Sequence, residues 1–69
     1  MTKTEALQLL TLHIISYARD EMIETITDRV IFEAILDARS ADKFSLLSDA
    51  TSTVKFAEIT SFFYAEMAA

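Results

Sequence analysis

Residues 2–19 read TKTEALQLLTLHIISYAR, and the spacing of the apolar residues in this stretch decides the fold. Thr2 and Glu5 stand three apart, as in a capping box, where the Thr hydroxyl accepts from an early backbone N–H and the Glu reaches back. Leu7, Leu10, Ile14 and Tyr17 follow at steps of three and four, which is one face of a helix. Leu12, Ile15 and Arg19 trace a second face. The apolar stripe is therefore wider than the roughly 100° that a helix lying on one core requires. The first helix is expected to meet two neighbours, its own chain and a partner, either a second copy or a target, with Leu10, Ile14 and Tyr17 the expected self-association residues.

Beyond Ala18 the chain turns acidic. The first helix is expected to run to about Glu24, after which Thr25 or Thr27 caps a second helix. Asp28 then falls in its first turn, where a carboxylate favours the helix dipole. No Gly or Pro marks this junction, so one long kinked helix is the alternative. The second helix centres on residues 30–36, VIFEAIL, and closes near Arg39, a favourable place for a cation. Ser40-Ala41-Asp42 reads as a break. Asp42 caps a short helical turn through Leu46 and Leu47, or the segment runs extended with Phe44 and Leu46 facing inward. Residues 48–53, SDATST, are polar and aperiodic and read as a loop. Ser52 or Thr53 then caps a last helix carrying Phe56, Ile59, Phe63 and Met67 on one stripe. The expected fold is all-α: a single domain over residues 1–69, of about three helices, forming an intertwined or packed homodimer.

The composition supports that reading. The chain has 69 residues, 52% of them hydrophobic, and no Gly, Pro or Cys. A chain of this length buries only about 60% of its unfolded surface, and disulfides, metals or oligomerisation are the usual remedies. Without cysteine, oligomerisation is the remedy left. The missing thiols also fit a reducing cytoplasm. The apolar run from Ala6 to Ala18 falls short of the ~20 residues of a membrane span, and the start lacks a small-residue cleavage site. No membrane association is expected.

Eleven acids against six bases give a net charge of −5. The bases Lys3, Arg19, Arg29, Arg39, Lys43 and Lys55 are dispersed, whereas a nucleic-acid binder needs a cationic face. A small helical DNA-binding regulator, its second and third helices arranged as a helix-turn-helix, is the alternative this charge pattern disfavours. Without Gly there is neither a phosphate-binding loop nor a Gly-flanked serine elbow, so no enzyme, cofactor or metal site is expected. His13, the one histidine, lies among apolar residues that are not ligands and reads as structural. Asp20, Glu21, Glu24 and Asp28 read as a solvated face, or as an acidic contact surface for a basic partner. Phe62, Phe63 and Tyr64 are consecutive and spread over about 200° of a helix, so at least one must leave the core. Aromatic residues and Arg are favoured binding anchors. Asp20, Glu24, Asp28, Arg39 and Tyr64 are the expected partner contacts.

The run 6–22, ALQLLTLHIISYARDEM, and the tail 62–67, FFYAEM, together with the overall length, resemble the anti-quorum-sensing proteins encoded by Mu-like phages of Pseudomonas. The resemblance implies a small helical homodimer made early in infection and acting in the host cytoplasm. It also implies binding and inactivation of a LuxR-type quorum-sensing activator, LasR, at its DNA-binding domain. The ATPase that drives type IV pilus extension is implied as a second partner. No contact residue is carried over from the resemblance.

Overall fold

The computed structural model describes residues 1–42 and 45–68. The described residues form four helices and no strand: α1 (Lys3–Asp20), α2 (Asp28–Arg39), α3 (Leu46–Thr53) and α4 (Phe56–Ala68). The all-α expectation holds, with one helix more than expected. The alternative placing of Phe44 in an extended segment lies outside the described residues.

The capping box of α1 forms as its spacing predicts. Thr2 Oγ1 accepts from Glu5 N at 3.1 Å, and Glu5 Oε1 accepts from Thr2 N at 3.2 Å. Hydrogen bonding from Thr2, its side chain first and its backbone N–H second, holds the Glu5 carboxyl below its ordinary range. The C-terminus differs from expectation: α1 ends at Asp20, not near Glu24. Met22 N–H donates to Arg19 O at 3.1 Å and Ile23 N–H to Ala18 O at 2.8 Å. This double closure is the Schellman arrangement, which needs a left-handed residue just past the cap. A chain without glycine fills that position with Met22, at φ 57°. The Met22 side chain is 89% exposed and contributes no packing. Met22→Gly is therefore expected to stabilise the chain. Relief of a left-handed residue is worth about 1–2 kcal/mol and the entropy cost of Gly about 0.5–1 kcal/mol. The net rise in melting temperature, a few degrees, is measurable by circular dichroism; a fall would show that the turn does not hold this conformation.

Thr27 caps α2, accepting from Val30 N at 3.4 Å, with Asp28 in the first turn and Arg39 in the last. The largest correction concerns residues 48–53, which are helical rather than a loop. Ser45 caps α3, accepting from Ser48 N at 3.1 Å. Thr51 and Thr53 hydroxyls bond back to the Ser48 and Asp49 carbonyls at 2.7 and 3.0 Å. Thr53 thus closes α3 instead of capping α4. So short and polar a helix lasts only by packing, and Ala50, Thr51 and the following Val54 are buried. At the start of α4, Glu58 Oε1 accepts from Lys55 N at 3.0 Å.

The core explains the wide stripe of α1. This helix, about 27 Å long at 1.5 Å per residue, packs against α2, α3 and α4 alike. Its ridge of Ala6, Leu10 and Ile14 meets Ile31, Ala34, Ile35 and Ala38 of α2, Ala50 of α3, and Ile59 and Phe63 of α4. The alanines bring the helix axes close, and the larger side chains fill the centre. The Thr11 hydroxyl, also buried, donates to Leu7 O at 2.8 Å. The folded surface, 4663 Å², is close to the ~4,400 Å² that the area–mass relation for monomers gives at this mass.

Candidate functional site

Leu10 and Ile14 are each 0% exposed, inside the core of their own chain. This corrects their expected place in a self-association seam: in this fold neither side chain reaches the surface. Tyr17 is half-buried against the same core. Burial pushes its phenol above the ordinary value, with smaller contributions from Glu33, Glu21 and Asp37.

The surface that stands out lies on α2 and α4. Asp28, Phe32, Leu36 and Arg39 recur at steps of four and three, which places them on one side of α2. Phe56, Thr60 and Tyr64 recur at steps of four along α4. Two contacts join these rows. The rings of Phe32 and Phe56 meet edge to face with centroids 5.8 Å apart. The Tyr64 hydroxyl donates to Asp28 Oδ1 at 2.6 Å, and this bond is the main reason the Tyr64 phenol is raised. The helices run antiparallel here, since the start of α4 meets the middle of α2 and its later turns meet the start of α2.

On this face Phe32 is 51% exposed, Leu36 44%, Phe56 40% and Tyr64 41%. Isolated exposed apolar residues are ordinary, but a contiguous group marks an interaction surface. The rings also hold each other in place, so little side-chain freedom is lost when they are covered. Of the expected partner contacts, the fold brings Asp28, Arg39 and Tyr64 onto this one face. Asp20 and Glu24 are exposed at the α1–α2 connection that leads into Asp28. Their one-turn spacing is not realised, because the helix stops at Asp20. Asp20, Glu21, Glu24 and Asp28 lie in the sequence between Arg19 and Arg29, and Asp28 is the acid joined to the aromatic face, through Tyr64. Phe32, Leu36 and Phe56 are the residues that sequence reasoning missed. The available signal was the apolar spread of the second helix beyond one face.

His13 is half-buried, with Nε2 3.0 Å from Asp37 Oδ2 but not aligned as a hydrogen bond. Among the described residues, no group of three or more His, Cys, Asp or Glu side chains could hold a metal ion. Nor is any helix long and apolar enough to cross a membrane. No protein family, curated protein or solved structure matches the chain.

Proposed function

We propose that this chain is a non-enzymatic inhibitor that sequesters a regulatory protein by covering a basic surface of it. The aromatic face of α2 and α4 is the docking surface, with Phe32, Phe56 and Tyr64 as anchors. Asp20, Glu24 and Asp28 meet the partner's cations and Arg39 secures the opposite end. The observation that carries this reading is the pre-set group of exposed rings joined to the Asp28 carboxylate. Opposite charge guides such an encounter and aromatic anchors hold it. The resemblance to the phage proteins supplies the target: a LuxR-type activator, bound at its DNA-binding domain in the host cytoplasm, so that operator binding is blocked by occlusion. The pilus-extension ATPase is a second candidate target, open to the same binding assay.

The test is a gel-shift with a purified LuxR-type activator and its operator. The chain is expected to abolish the activator–DNA complex without shifting DNA itself. Phe32→Ala and Phe56→Ala should each weaken inhibition at least about tenfold, within the range of anchor residues. Salt-sensitive DNA binding by the chain alone would instead establish the DNA-binding regulator.

A further inference from the structure

Along one flank α1 and α4 lie side by side and run in the same direction. Lys3 Nζ meets Glu58 Oε2 at 3.1 Å near the start of both helices, and further along Leu12 and Glu66 share a groove. The groove is open on one side, holds about 320 Å³, and is lined by Gln8, Thr11, Leu12, Phe62 and Glu66. Exposed Leu12 and half-buried Phe62 give it an apolar character. The Thr11 hydroxyl is already bonded to Leu7 O. Gln8 and Glu66 are different: neither side chain makes a hydrogen bond or ion pair among the described residues. An apolar slot thus carries an unpaired carboxylate from α4 and an unpaired amide from α1, with no base in its lining. Phe62 and Tyr64 project about 200° apart on α4, so this groove and the aromatic docking face lie on different flanks.

We propose that this groove is a recognition slot for an arginine side chain, presented between apolar neighbours on a partner's chain. Charge selects a cation. Glu66 stands in the last turn of α4, where the helix carbonyls add partial negative charge to that of the carboxylate. Geometry selects arginine over lysine. Phe62 and Glu66 are four residues apart, so ring and carboxylate are neighbours on one side of α4. A planar guanidinium can lie against an aromatic ring while its N–H fork donates to a carboxylate, which a compact ammonium cannot do. Its remaining N–H groups can donate to the Gln8 side-chain oxygen across the groove. The arginine stem and the apolar neighbours cover Leu12. The groove is at the small end of the about 300–1,000 Å³ of pockets that enclose a free small molecule. Being open as well, it suits a side chain held by a larger partner. The proposal does not draw on the aromatic face, none of whose anchors lines the groove.

The test is a titration of the isotope-labelled chain, followed by its amide NMR signals, with a short synthetic peptide carrying arginine between two leucines. Twin peptides carry lysine or citrulline, the neutral isostere of arginine, in its place. The arginine peptide is expected to shift the Gln8, Leu12, Phe62 and Glu66 signals saturably and to leave those of Phe32 and Phe56 in place. The citrulline peptide should bind about tenfold more weakly, the cost of losing hydrogen bonds between charged groups. The lysine peptide should fall between the two. Glu66→Gln, at an exposed position, should abolish the advantage of arginine over citrulline with the helical signal unchanged. Phe62→Leu keeps an apolar wall and should abolish the advantage of arginine over lysine. No shift with the arginine peptide, or equal binding of the citrulline peptide, would overturn the slot. So would shifts confined to Asp28 and Tyr64, or an arginine preference that survives Glu66→Gln. Movement of the groove signals when the chain alone is diluted would assign the groove to a second copy and also overturn the proposal. Inhibition of the activator is read separately through Phe32→Ala, so failure of one reading is distinguishable from failure of the other.

Discussion

Ile14→Asp is expected to unfold the chain at every concentration. Ile14 is 0% exposed, at the centre of the helix that all the others touch. Truncating a buried aliphatic side chain costs about 2–5 kcal/mol, and a carboxylate with no cation beside it adds a desolvation penalty of several kcal/mol. At ~0.05–0.15 kcal/mol per residue, the whole stability of a chain this size is about 3–10 kcal/mol. The two costs together consume most or all of it. Far-ultraviolet circular dichroism should show the helical signal largely lost and no cooperative melt. A seam location makes the opposite prediction: a folded, less associated chain with a concentration-independent melting temperature. Retention of a cooperative melt would therefore return Ile14 to the surface. Leu12→Asp, two residues earlier, is the control, since the same chemistry at a 66% exposed position should leave the fold intact.

The contrast between those positions shows what the sequence made legible. Helix identity was readable because local chemistry sets it: the Thr2–Glu5 box, the Thr27 cap and the three-and-four spacing all act over a single turn. Which face of a helix is covered depends on elements far away in the chain. The broad stripe of α1 predicts more neighbours than a chain of three helices supplies. The structure supplies three, and the third is α3, which polarity and lack of period disguise as a loop. Small buried residues, Ala50 and Thr51, give such a helix almost no hydrophobic signal. With α3 read as a loop, Leu10 and Ile14 have too few partners and are assigned to a second copy. The turn after α1 was hidden for a related reason. In a chain without glycine, a left-handed Met22 carries no compositional mark. The acidic run and Tyr64 were legible as surface, but the pairing of Phe32 with Phe56 needs the antiparallel approach of two helices separated by α3.

The aromatic tail yields the second large effect, because three adjacent rings have three different surroundings. Phe63 is 2% exposed and is among the largest fully buried side chains. With Ile59 it is what α4 contributes to the core. Phe63→Ala should cost about 3–5 kcal/mol, lowering the melting temperature by more than about 12 °C. Phe62 is half-buried on the α1 side, so Phe62→Ala should cost much less. Tyr64→Phe removes only the hydroxyl that donates to Asp28. Both groups see solvent, and the shift should be the smallest of the three. Thermal melts of these variants at one concentration thus measure the rotation of α4 about its own axis. If Phe62→Ala proved the costly change and Phe63→Ala the mild one, α4 would have to turn by about 100°, one residue's step. Tyr64 would then leave Asp28, Phe56 would leave Phe32, and the docking face would lose the contacts that order it. The ranking of the three melts therefore tests the aromatic surface without requiring any partner.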